Sequence, residues 1–124
     1  MAKTVLIVED EQSMQRALKS KLEHGGYAVH AAADGEEAMA YLKTETPNLV
    51  LLDLIMPKID GISVLHQMKA DERLRAVPVV ILTNLSSGDK VAEAMALGTF
   101  DFLVKANYSL DDVLKKVTER IGNP

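Results

Sequence analysis

Short apolar runs alternate with stretches of helical spacing along the whole chain. The runs are Val5 to Val8, Tyr27 to Ala31, Leu49 to Leu52, Val79 to Leu82 and Phe100 to Val104, and together they predict five βα units. Four of them are nearly continuous in Val, Leu and Ile, as parallel strands covered by helices on both faces require; the second alternates more and reads as an edge. Helix starts fall between the runs. Asp34 followed by Glu37, and Ser109 followed by Asp112, are patterns in which a side chain can satisfy the orphan amides of a first turn. In the last helix Leu110, Val113, Leu114, Val117 and Ile121 form one stripe, and Lys115, Lys116, Glu119 and Arg120 take the other side. Gly25-Gly26, Gly98 and Gly122 are placed to close helices in left-handed conformation. Right-handed crossovers with helices on both faces favour an α/β fold, a single doubly wound five-stranded parallel sheet of order 2-1-3-4-5. Such sheets bind ligands at the carboxyl ends of their strands, near the switch in strand order.

At 124 residues the chain suffices for one domain with a real core and is short for two. Its 48% hydrophobic and 26% charged residues are the balance of a globular protein. Apolar stretches of four or five residues are far too short for a membrane span. The segment from Met1 to Val8 lacks a signal-peptide hydrophobic region, so a cytoplasmic location is expected. Without cysteine there is neither a disulfide framework nor a thiolate metal site. A net charge of −4 with scattered lysines argues against direct nucleic-acid binding. His24, His30 and His66 read as surface histidines, and Met14, Met39, Met68 and Met95 as core packing.

The chemistry gathers at the strand ends. Glu9-Asp10 closes the first strand, Asp53 the third, Thr83 the fourth and Lys105 the fifth, and all should meet at one rim. Any one acid there could be a helix cap. Asp53, however, directly follows the buried run Leu49 to Leu52, where an ionised carboxylate is costly without a counter-cation. Lys105 supplies one positive charge against the three carboxylates of Glu9, Asp10 and Asp53, so a divalent ion is needed to balance them. Hard oxygen ligands select magnesium or manganese, and magnesium suits a site that also handles phosphoryl oxygens.

The segments Val5-Leu6-Ile7-Val8-Glu9-Asp10-Glu11, Leu51-Leu52-Asp53-Leu54-Ile55-Met56-Pro57-Lys58-Ile59-Asp60-Gly61, Ile81-Leu82-Thr83 and Phe102-Leu103-Val104-Lys105 stand in order across about a hundred residues. Together they resemble the receiver domains of bacterial response regulators, over essentially the whole chain. The resemblance implies a flavodoxin-like (βα)5 receiver over residues 1–124, a phosphoacceptor switch rather than an enzyme. Asp53 would take a phosphoryl group from a sensor histidine kinase or a histidine phosphotransfer protein. Asp10, Asp53 and the Ile55 carbonyl would ligate Mg2+ directly and Glu9 through water. Thr83 and Lys105 would bind phosphoryl oxygens. Thr83 and Phe102 would act as the switch, changing a surface on the fourth helix, fifth strand and fifth helix that an unknown downstream target reads. Met56-Pro57 and Asp60-Gly61 shape the loop after Asp53, with Gly61 permitting a tight entry to the next helix.

The chain departs from the family in three places. Ala106 follows Lys105 where proline is usual, Asn84 stands after Thr83 where a smaller residue is frequent, and Phe102 lacks the hydroxyl of the commoner tyrosine. Three other functions compete. An FMN-binding flavoprotein would want a glycine- and hydroxyl-rich loop after the first strand, which Glu9-Asp10-Glu11 is not. An aspartyl phosphatase would place an acid at Ile55. A receiver-like module that no longer accepts phosphate would not need the full set of site residues. An output domain following Pro124 in a larger regulator is a further possibility.

Overall fold

A computed structural model describes residues 2–54, 60–83, 88–98, 101–104 and 108–124, with only the backbone given for Thr83 and Lys90. The strands are β1 (Thr4–Val8), β2 (Ala28–Ala32), β3 (Leu49–Asp53), β4 (Val79–Thr83) and β5 (Asp101–Val104). The helices are α1 (Gln12–His24), α2 (Gly35–Leu42), α3 (Gly61–Ala70), α4 (Gly88–Ala96) and α5 (Leu110–Ile121). The strands form one parallel sheet in the order β2-β1-β3-β4-β5, as expected from the sequence. Among the described residues no helix is long and apolar enough to cross a membrane.

Period-2 alternation sorts the apolar strand residues between two layers. Leu6, Val8, Val50, Leu52, Val79 and Ile81 face a core shared with α2, α3 and α4. Val5, Ile7, Leu49, Leu51, Val80 and Leu82 face a second core shared with α1 and α5. In α5 the stripe behaves as expected: Val113 and Val117 are fully buried, and Leu110, Leu114 and Ile121 pack beside them. The chain crosses from one layer to the other around β1 and β3, because α1 lies on one face and α3 on the other.

Helix ends follow local chemistry. Ser109 and Asp112 form the full reciprocal box, with Asp112 N–H donating to Ser109 Oγ at 3.2 Å and Ser109 N–H donating to the Asp112 carboxylate at 2.9 Å. Asp34 accepts from Glu37 N–H at 2.9 Å, but Glu37 reaches back one residue further than expected, to Ala33 N–H. Gly26, Gly98 and Gly122 have positive φ, whereas Gly25 is right-handed, so a single left-handed glycine suffices after α1. Arg73, past α3, donates to the carbonyls of Leu42 and Glu45 and to Thr46 Oγ1, which ties the α2–β3 connection to the α3–β4 connection on the same face of the sheet.

Two expectations change. Tyr27 precedes β2 rather than opening it; its ring is buried and its hydroxyl donates to the Gly122 carbonyl beside Thr118 Oγ1. Met95 is 42% exposed, not core. The inward positions of α4 are Val91 and Ala94, with Leu97 just past its end packing beside them, and Met95 lies about 100° around the helix from Ala94. Met68 is buried, and Met14 and Met39 pack against the core as expected.

Candidate functional site

Parallel strands running side by side bring their last residues to one rim. Val8 pairs with Leu52, Asp53 with Leu82, and Thr83 with Val104, so the ends of β1, β3, β4 and β5 are level. Glu9 and Asp10 leave β1 at the place where the chain changes face, and Asp53 ends β3 beside them. Carboxylate oxygens of Glu9, Asp10 and Asp53 lie within 4.8 Å of one another. Glu9 is fully buried and Asp53 only 5% exposed, while Asp10 opens to solvent.

Two carboxylates at such a separation, partly shielded from water, repel by on the order of 3 kcal/mol. That is a sizeable fraction of the stability of a small domain, so the cluster calls for positive charge. Oxygens on opposite sides of a magnesium ion are about 4.2 Å apart. A set contained within 4.8 Å therefore has the dimensions one small cation spans, and its donors are the hard oxygens such a cation takes. The same negative charge at the end of β1 opposes a flavin phosphate there.

The turn after β1 is closely tied. Glu9 N–H donates to Ala32 C=O at 3.0 Å, extending the contact with β2. Its carboxylate Oε2 accepts from Glu11 N–H at 3.2 Å, and its carbonyl accepts from the Gln15 side-chain amide at 3.0 Å. On the other side Gly61 N–H donates to Leu54 C=O at 3.1 Å, and Asp60 caps α3 by accepting from Ser63 N–H at 2.9 Å. A Cβ built on Gly61 would stand 2.2 Å from the Asp53 carbonyl oxygen and 2.7 Å from Leu54 Cα. Gly61 is thus required by the close approach of two backbones, and its φ is not positive.

Of the residues expected at the site, Glu9, Asp10 and Asp53 are brought together, and Thr83 has its backbone at the same rim. Ile55, Met56, Pro57, Asn84, Lys105 and Ala106 lie outside the described residues. Phe102 is on β5 and 42% exposed, against a cleft of about 360 Å³ that Leu103, Val104, Tyr108, Lys115 and Lys116 also line. It is no buried core phenylalanine. His24, His30 and His66 are exposed, as expected. His30 stacks on Tyr41 with ring centroids 4.3 Å apart, and burial, with Glu45 adding to it, raises the Tyr41 phenol above its ordinary pKa. Reading the sequence missed Gln15 and the Asp60 cap. An acid three residues before a helical Ser is a signal for the cap; Gln15 has none, since its partner is set by how α1 folds back on β1.

Comparison with known proteins agrees with the geometry. The family model for the response regulator receiver domain matches residues 5–118. The probable transcriptional regulator ycf27 of Porphyridium aerugineum is 43% identical over 101 residues, which are 82% of this chain and 41% of that protein. The chain spans from about a quarter to about half of the length of the curated relatives it matches. The chemotaxis protein CheY4 of Vibrio cholerae superposes with a TM-score of 0.87 at 28% identity, over 97% of this chain and 99% of that one. The receiver domain of the sensor histidine kinase PA1611 from Pseudomonas aeruginosa, whose structure has a magnesium ion coordinated in the active-site cleft, superposes with a TM-score of 0.87 at 26% identity, covering 99% and 100% of the two chains. With the strand order, the acidic cleft at the change of face and a family match over nearly its full length, this chain belongs to the response regulator receiver domain family.

Proposed function

We propose that Asp53 is the phosphoacceptor of a two-component phosphorelay and that residues 1–124 act as one receiver unit in the cytoplasm. The observation that carries this reading is the placement of a nearly buried Asp53 at the end of β3, within 4.8 Å of the carboxylate oxygens of Glu9 and Asp10. A sensor histidine kinase or a histidine phosphotransfer protein is the donor. An Asp53 carboxylate oxygen attacks the phosphorus, the P–N bond to imidazole breaks as the new P–O bond forms, and the released imidazole nitrogen regains a proton. Asp10, Asp53 and the Ile55 carbonyl would hold Mg2+ directly, with Glu9 acting through water. The ion supplies neutralisation of the phosphoryl oxygens, which matters more than covalent help in a loose transition state. Thr83 and Lys105 bind the remaining phosphoryl oxygens. The chain is a switch, not an enzyme with turnover on outside substrates.

Intact-protein mass spectrometry after treatment with acetyl phosphate and MgCl2 tests the assignment. One phosphoryl adduct is expected, and EDTA should prevent it. Equal labelling in metal-free buffer would show that the acidic cluster needs no cation to react.

The output is a changed protein-binding surface on α4, β5 and α5. The exposed ring of Phe102 and the exposed Met95 give that side apolar area that can be withdrawn. Burying the Phe102 ring would supply on the order of 1.5 to 3 kcal/mol, enough to bias two states. When a phosphoryl oxygen recruits the Thr83 hydroxyl, the following segment moves inward and makes room for that ring. Thr83→Ala should therefore still be phosphorylated on Asp53 while losing the NMR shift changes at residues 88 to 97 and 101 to 118. The same shifts in the parent and in Thr83→Ala would refute the coupling.

A further inference from the structure

Glu9 is fastened at every polar group of its backbone. Its N–H donates to Ala32 of β2 and its carbonyl accepts from Gln15 Nε2 at 3.0 Å. A carbonyl can only accept, so the orientation of the Gln15 amide is settled by its partner. Gln15 in turn belongs to the body of α1, with its own N–H donating to Glu11 C=O at 2.9 Å and with Leu18 and Leu22 fully buried further along the same helix. The side chain thus bridges a rigid element and the turn that presents two of the clustered carboxylates.

The bridge matters because that turn is under electrostatic load. Glu9 and Asp10 repel each other and Asp53, and Asp10 stands on an exposed position past the end of β1. Rotation of the Glu9–Asp10 peptide would relieve the repulsion and re-aim Asp10. Magnesium, with near-ideal octahedral demands, tolerates little such movement. Resting on the phosphoacceptor reading above, we propose that Gln15 is a positioning residue for the divalent cation, holding the Glu9 carbonyl so that Glu9 and Asp10 keep their aim toward Asp53. A neutral amide fits this role, since it donates without adding a positive charge that would compete with the ion.

Titration of the full chain with MgCl2, followed by amide NMR shifts of residues 8 to 12 and 52 to 54, tests this. Gln15→Met keeps the length and removes the donor, and should bind Mg2+ roughly 10-fold more weakly than the parent. Gln15→Glu points an acceptor at the Glu9 carbonyl. It should also bind more weakly, although its added negative charge alone would strengthen cation binding. In metal-free protein, amide exchange at Asp10 and Glu11 should speed up in Gln15→Met while that of β3 stays as in the parent. Parent-like affinity in Gln15→Met, tighter binding in Gln15→Glu, or a general loss of protection across β3 would each overturn the inference while leaving Asp53 and its metal in place. A parent that does not bind Mg2+ would overturn the metal reading and this inference with it.

Discussion

Asp53→Asn is expected to take up no phosphoryl group from acetyl phosphate and magnesium, where the parent takes up one that hydroxylamine removes. The substitution preserves the shape of the side chain and replaces its anionic oxygen with a neutral amide, which is a far weaker nucleophile and a poorer ligand for a hard cation. An aspartyl phosphate is a mixed anhydride, so sensitivity to hydroxylamine separates it from a serine or threonine ester. The fold should survive. Asp53 ends a strand whose other four residues are fully buried, and the variant removes one of three crowded carboxylates. In metal-free buffer it should melt at or above the temperature of the parent, because less like charge is confined in the cleft. An adduct formed at full yield in Asp53→Asn would place the acceptor elsewhere and undo the functional assignment.

Gly61→Ala should be the most damaging small substitution near the site. Its Cβ would meet the Asp53 carbonyl oxygen at 2.2 Å, Leu54 Cα at 2.7 Å and the Asp53 carbonyl carbon at 3.0 Å. All three are backbone atoms, so no side chain can swing aside. Either the start of α3 or the end of β3 must move, at the expense of the Gly61 N–H bond to Leu54 C=O. Overpacking of this kind costs about 1 to 3 kcal/mol, a fall in Tm on the order of 5 to 15 °C for a domain of this size. Because the displaced carbonyl belongs to Asp53, the proposed acceptor, phosphoryl uptake should slow as well. Gly88 is the control: a Cβ there meets nothing within 4 Å, and Gly88→Ala should melt close to the parent. Thermal melts by circular dichroism decide the matter, and Gly61→Ala melting with the control would show that the two backbones can separate freely.

Membership of the receiver family accounts for why so much chemistry sits on so few residues. A parallel sheet brings strand ends from distant parts of the chain to one rim, and the change of face between α1 and α3 opens a cleft beside β1 and β3. Glu9, Asp10 and Asp53 were legible as a group because each stands within two residues of the end of an apolar run, which is a local signal. Asp34 and Ser109 were legible as caps for the same reason, since a cap bonds an amide two or three residues away.

Local pattern by itself determined the five strands, the amphipathic α5 and the acidic residues at the strand ends, because alternation, helical spacing and capping act over a few residues and are written consecutively in the chain. Tertiary structure alone decided the rest. Met95 looked like core, yet the packing of α4 turns Ala94 inward and leaves Met95 in water. Tyr27 looked like strand, yet its hydroxyl reaches Gly122 across the chain. Gly61 was read as permitting a tight entry to a helix, and what makes that entry tight is the backbone of Asp53 and Leu54. Gln15 carried no signal at all, because a donor becomes a positioning residue only when the return of α1 along β1 brings it to the Glu9 carbonyl. In each case the deciding distance lies between segments that the crossovers bring together, and side-chain periodicity along one segment holds no record of what the neighbouring segment places opposite it.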